Sequence, residues 1–141
     1  MKTFFIFFAL ICASIVNASA VELSITKPEK DSNVGCESKS PEGYCYCPVK
    51  GKVSGLKQGQ YICTFLQFSG GSVWWVSGNC LAASQVIDDE WEQNYSSCGK
   101  EDEKGTIIIK AMVLDKPLES GLNVNELPKA IAEAGRKVSK K

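Results

Sequence analysis

The chain predicts a mainly β fold, a disulfide-stabilised sandwich of about seven short strands with a short C-terminal helix. Three observations carry that reading. Residues 60–76, QYICTFLQFSGGSVWWV, hold two apolar, aromatic-rich runs on either side of Ser69-Gly70-Gly71-Ser72. β-Branched and aromatic side chains fit a pleated, packed surface, and a Gly-Gly centre supplies the positive φ of a tight hairpin. Residues 106–114, TIIIKAMVL, are the most β-branched run in the chain and are apolar on both faces, as a central buried strand requires. Finally, Cys36, Cys45, Cys47, Cys63, Cys80 and Cys98 form an even set, which in a small exported chain reads as a disulfide framework.

Export is expected from the first residues. Lys2, the apolar stretch 4–16 and the small-residue pattern Ala18-Ser19-Ala20 read as a signal peptide over residues 1–20, cut before Val21. Its apolar run is shorter than the ~20 residues of a membrane-spanning helix. Cys12 leaves with it. The remaining 21–141 is enough for one core: a β-sandwich over 21–116, then a connection, short helix and basic tail over 117–141. Formal net charge is zero, and −1 without Lys2, so no global field steers the chain to nucleic acid or an acidic membrane. We therefore expect an extracellular protein without nucleic-acid partners or stable membrane insertion.

In chain order, 21–26 (VELSIT) alternates apolar and polar residues with period two, a half-buried first strand ended by Lys27-Pro28. Residues 29–43 are a polar loop pinned at Cys36. Residues 44–54 form a strand region interrupted at Pro48, with Val49, Gly51 and Val53 on one side. Cys45 and Cys47 share a face of that strand, and so should pair with different partners. A glycine-bracketed turn at 55–59 leads into the central hairpin. After the turn 77–79, residues 80–87 are the weakest strand, 88–90 an acidic loop and 91–98 a strand. The charged segment 98–105 is a turn before the strand at 106–114. Near the end, Asn125 can cap a helix, Pro128 sits in its first turn, Leu127, Ile131 and Ala134 share a face, and Gly135 stops it. Residues 136–141 are either a lysine-guarded edge strand or a frayed end.

The succession Ile25-Thr26-Lys27-Pro28, Val34, then 49–55 (VKGKVSG), Trp74-Trp75, Trp91, the charged turn 99–105 and the closing β-branched run resembles small secreted immunoglobulin-like or fibronectin-like sandwich domains. The resemblance spans residues 25–114. It implies an immunoglobulin-like sandwich that binds or spaces rather than catalyses, although fold does not fix function. The six cysteines and the long loop from Cys36 to Cys47 depart from that pattern.

The chain has no histidine, so histidine triads, histidine general bases and histidine metal ligands are excluded. Without histidine or paired CxxC knuckles the cysteines are expected in disulfides, with no metal and no cofactor. The acidic residues Asp88, Asp89, Glu90, Glu92, Glu101, Asp102 and Glu103 lack calcium-loop spacing and read as solvated loops. As paired carboxylates for glycoside hydrolysis they have little cleft to sit in. Adjacent Trp74 and Trp75 must face opposite sides of a strand. Either both sides are covered, or one tryptophan is a stacking surface for a sugar or partner. Tyr44, Tyr46 and Trp91 are candidates for the same surface. Asn94-Tyr95-Ser96 is a glycosylation sequon in a host that glycosylates exported chains. These readings converge on a non-enzymatic module that binds an extracellular glycan or protein through Trp75, Trp74, Tyr44 and Tyr46. The competing expectation is a cysteine-rich inhibitor, toxin or effector that acts on a protein target through the Cys36 to Cys47 loop.

Overall fold

A computed structural model describes residues 20–141; the signal-peptide expectation lies outside the described residues. The strands are β1 (Glu22–Lys27), β2 (Asn33–Val34), β3 (Ser38–Lys39), β4 (Tyr44–Tyr46), β5 (Val49–Ser54), β6 (Tyr61–Phe68), β7 (Trp74–Val76), β8 (Leu81–Ala82), β9 (Glu90–Gln93), β10 (Ser97–Lys100), β11 (Gly105–Leu114), β12 (Asn123–Val124) and β13 (Ala132–Lys140), with a 3-10 turn at Ala83–Gln85. They form a large sheet in the order β12-β7-β6-β11-β13-β2, with β8 also on β6, and two three-stranded sheets, β1-β5-β9 and β10-β4-β3. Among the described residues no helix is long and apolar enough to cross a membrane.

The period-two alternation of strands dictates where the core lies. On one face of the large sheet, Ile107, Ile109, Ala111 and Val113 of β11 and Ile62 and Leu66 of β6 pack against Ile25, Val49, Val53 and Trp91 of the β1-β5-β9 sheet. The opposite face carries Met112 and Leu114 of β11, Cys63 and Phe65 of β6, and Val76 of β7. Leu118, Val124, Leu127 and Ala130, from the connection before β13, cover it. The central strand is therefore buried on both faces, as its composition predicted. The 69–72 hairpin is also present, with Phe65 opposite Val76 and Leu66 opposite Trp75.

Glycine is required at Gly51. It stands opposite Trp91 across β5 and β9, and a Cβ there would fall 1.9 Å from the Ser24 carbonyl oxygen and 2.6 Å from the Trp91 ring. The indole lies over the bare backbone and is itself fully buried. The expectation that Trp91 joins a contact surface is thus corrected: it is a core residue, and its Nε1 donates to the Lys52 carbonyl.

The expected C-terminal helix does not form. Residues 125–131 are irregular, and β13 pairs with β11 along its whole length, from Gly105–Lys140 to Val113–Ala132. An isolated helix of three turns is marginal in water. The strand instead satisfies the row of backbone groups along β11, which would otherwise be an open edge. Of the residues expected on one helical face, Leu127 packs on the second core beside Ala130, Ala134 packs on the first, and Ile131 is exposed. The strand alternative for residues 136–141 is the one observed, although β13 lies inside the sheet, with β2 pairing parallel on its far side. The single strand expected over 91–98 is also corrected. A turn at Asn94–Tyr95 divides it into β9 and β10, which lie in different sheets.

Candidate functional site

The six cysteines form Cys36–Cys45, Cys47–Cys98 and Cys63–Cys80. Cys45 and Cys47 thus have different partners, and both are buried. Because they turn inward on β4, the intervening parity turns Tyr44 and Tyr46 together to the other side. That side is one wall of a groove of about 590 Å³, and Trp75 lies in the same groove. Three of the four residues singled out as contacts are therefore brought together. Trp74 is not among them, because it packs on the second core.

Each wall is fixed locally. The β3–β4 turn closes with Ser40 N–H donating to the Tyr44 carbonyl at 2.8 Å and Gly43 N–H to the Ser40 carbonyl at 2.9 Å. Cys36–Cys45 ties the base of this loop and Cys47–Cys98 ties it to β10. The opposing wall is Tyr95, in the β9–β10 turn. Its ring meets Tyr46 edge-on, with centroids 5.5 Å apart and planes at 80°, the arrangement aromatic quadrupoles favour. Gln93 holds the turn, its Nε2 donating to the Asn79 carbonyl at 2.5 Å and its Oε1 accepting from Tyr95 N–H. A side chain at Gly78 would reach within 2.5 Å of that amide, and Gly78 has φ of 74°.

The floor comes from Leu66 and Phe68 of β6 and Trp75 of β7. Buried Ser77 anchors its end, its Oγ accepting from Ser97 N–H at 2.7 Å and lying 3.2 Å from Ser96 Oγ. At the rim, Gly121 N–H donates to the Val76 carbonyl at 2.8 Å, which brings the connection after β11 to the groove. Tyr44 is 42% exposed, Trp75 41% and Tyr95 67%, so the rings are open to a ligand.

Sequence reasoning missed Tyr95, Phe68 and Glu103 as lining residues. Phe68 shares the face of Leu66 by strand parity, a signal that was available. Tyr95 and Glu103 sit in turns, where no periodicity reports direction.

The charged β10–β11 turn is tethered by an ion pair between Lys39 and Glu101. The hydrogen bond and charge of Lys39 hold the Glu101 carboxyl below its ordinary range. Lys140 reaches in from β13 and donates from Nζ to the carbonyls of Cys98 and Lys100; burial lowers its pKa, opposed by Glu103, Asp102 and Glu101. Asn94 is exposed beside Tyr95, whereas the sequon's Ser96 is fully buried. Among the described residues no group of three or more His, Cys, Asp or Glu side chains is placed to hold a metal ion.

Fold and site define a small, disulfide-stapled β domain with an aromatic groove on its surface. No protein-family model matches the chain, and a search of curated proteins finds no match to it.

Proposed function

We propose that this is a secreted, non-enzymatic recognition module that binds an extracellular glycan or protein by seating one of its groups in the aromatic groove. The observation that carries the reading is the convergence of Tyr44, Tyr46, Tyr95 and Trp75, from three separate segments, around one cavity of about 590 Å³. That volume lies within the range of small-molecule sites, and a mostly apolar lining with a few placed polar groups is their usual composition. Ser40, Asn79 and Ser97 supply the polar groups here. The immunoglobulin-like reading belongs to this proposal, supported by the packing of the large sheet against the β1-β5-β9 sheet. Placement of Tyr44 and Tyr46 on the Cys36 to Cys47 loop favours one second reading, an inhibitor or effector that presents this same loop to a protein target.

The test is binding of the disulfide-intact protein to arrayed glycans, cell-surface polymers and extracellular proteins, beside Trp75→Ala, Tyr46→Ala and a reduced control. Specific binding lost in both variants and on reduction is expected. Loss in Tyr46→Ala alone selects the loop-led reading, and a specific ligand retained by both folded variants sinks the groove as the site.

A further inference from the structure

On the reading that the groove is the binding site, we propose that its ligand is an organic cation, a quaternary or methylated ammonium head group. It would be held among Tyr44, Tyr46, Tyr95 and Trp75, with Glu103 as counter-charge. Aromatic faces carry negative potential, and rings gathered around one space recognise ammonium groups whose charge is spread over methyls. The same chemistry already operates at the edge of the site, where the Lys100 ammonium lies 5.9 Å from the centroid of the Tyr44 ring.

Charge selects among ligands that would all stack on these rings. Glu103 is the one charged side chain lining the groove, and no lysine or arginine lines it. Its carboxylate lies beside Gly99, where a Cβ would fall 2.9 Å from Glu103 Oε2 and 3.2 Å from the Phe68 ring. A glycine with φ of 83° thus leaves room for the carboxylate beside the aromatic floor. Among the described residues the ion pairs are Lys39–Glu101, Lys50–Glu92 and Lys110–Glu133, so Glu103 has no direct partner. Lys140, which borders Glu103 beneath the groove, has its ammonium committed to the carbonyls of Cys98 and Lys100. An anionic ligand would meet the Glu103 carboxylate inside the groove, with Lys100 at the outer edge over Tyr44 and Lys140 beneath the floor. A neutral sugar would stack but leave that charge unused.

The experiment titrates the disulfide-intact protein with choline and tetramethylammonium. The comparison ligands are 3,3-dimethylbutanol, choline's neutral isostere, and a neutral sugar panel; the readout is tryptophan fluorescence, in which Trp75 is the tryptophan that lines the groove. Choline should bind about two- to fivefold tighter than its isostere, the gain of a cation on aromatic faces that stay partly open to solvent. Trp75→Phe should remove the fluorescence response, and Glu103→Gln, which keeps shape and removes charge, should weaken choline several-fold without weakening the isostere. If choline and the isostere bind equally, or sugars bind and choline does not, the cation assignment falls while the groove stands as the site. If none of these ligands binds and the partner found on the arrays is insensitive to Trp75→Ala and Tyr46→Ala, both fall together.

Discussion

At the scale of single residues, contact and core roles of similar side chains are separated by what lies opposite them. Trp91 faces Gly51 and is buried; Trp75 faces Leu66 at the edge of the packed region and is open. Gly51→Ala should therefore cost about 3 kcal/mol or more, because the added methyl meets backbone and an indole that cannot retreat. The urea midpoint measures it, and a loss under 1 kcal/mol, about a single methylene's worth, would show that the ring can shift. Lys140 carries a pH signature. Burial lowers its pKa below the ordinary 10.5, so over the interval from the folded-state value up to 10.5 the unfolded chain binds more protons. Stability contributed through this group then rises with pH across that interval. The difference in unfolding free energy between the parent and Lys140→Met, followed from neutral to alkaline pH, should show that rise; a flat difference would mean that Lys140 keeps an ordinary pKa.

At the scale of elements, β13 is the decisive strand. It pairs with β11 throughout and contributes Val138 to the first core, while the segment leading to it covers the second. A chain ended after Ile131 would leave β11 with a long open edge, a template for pairing between molecules. Cooperative unfolding should be lost and size-exclusion chromatography should show self-association. A monomeric, cooperatively unfolding truncation would make β13 dispensable. The sequence suggested a helix here because Leu127, Ile131 and Ala134 have helical spacing, yet such spacing reports only a local preference. The partner that overrode it, the edge of β11, lies far away in the chain.

At the scale of the whole molecule, the disulfides divide between stability and site. Cys47–Cys98 spans 51 residues and Cys36–Cys45 spans 9. Loop-closure entropy assigns about 4 kcal/mol to the first and about 2.5 kcal/mol to the second. Replacing Cys47 and Cys98 together by serine should thus destabilise the fold more than replacing Cys36 and Cys45. The second pair, at the base of the Tyr44–Tyr46 wall, should weaken ligand binding out of proportion to its stability loss. Thermal melts beside binding titrations separate the two, and equal effects on both readouts would deny the loop its special role in the site.

The β class, the central hairpin, the doubly buried β11 and the distinct partners of Cys45 and Cys47 were legible in the sequence. Each depends on local chemistry: β-branched runs, a Gly-Gly turn, and the two-residue period that sends neighbouring side chains to opposite faces. The same period put Trp74 and Trp75 on opposite faces and Tyr44 and Tyr46 on one. What it could not convey was which open faces meet. The tertiary structure alone decided that Tyr95 closes the groove, that Glu103 joins Phe68 in lining it, that Trp91 goes inside, that Cys47 bonds Cys98 and that the tail is a strand. These depend on contacts between segments distant in the chain, where burial and the pairing of backbone groups outweigh local preference.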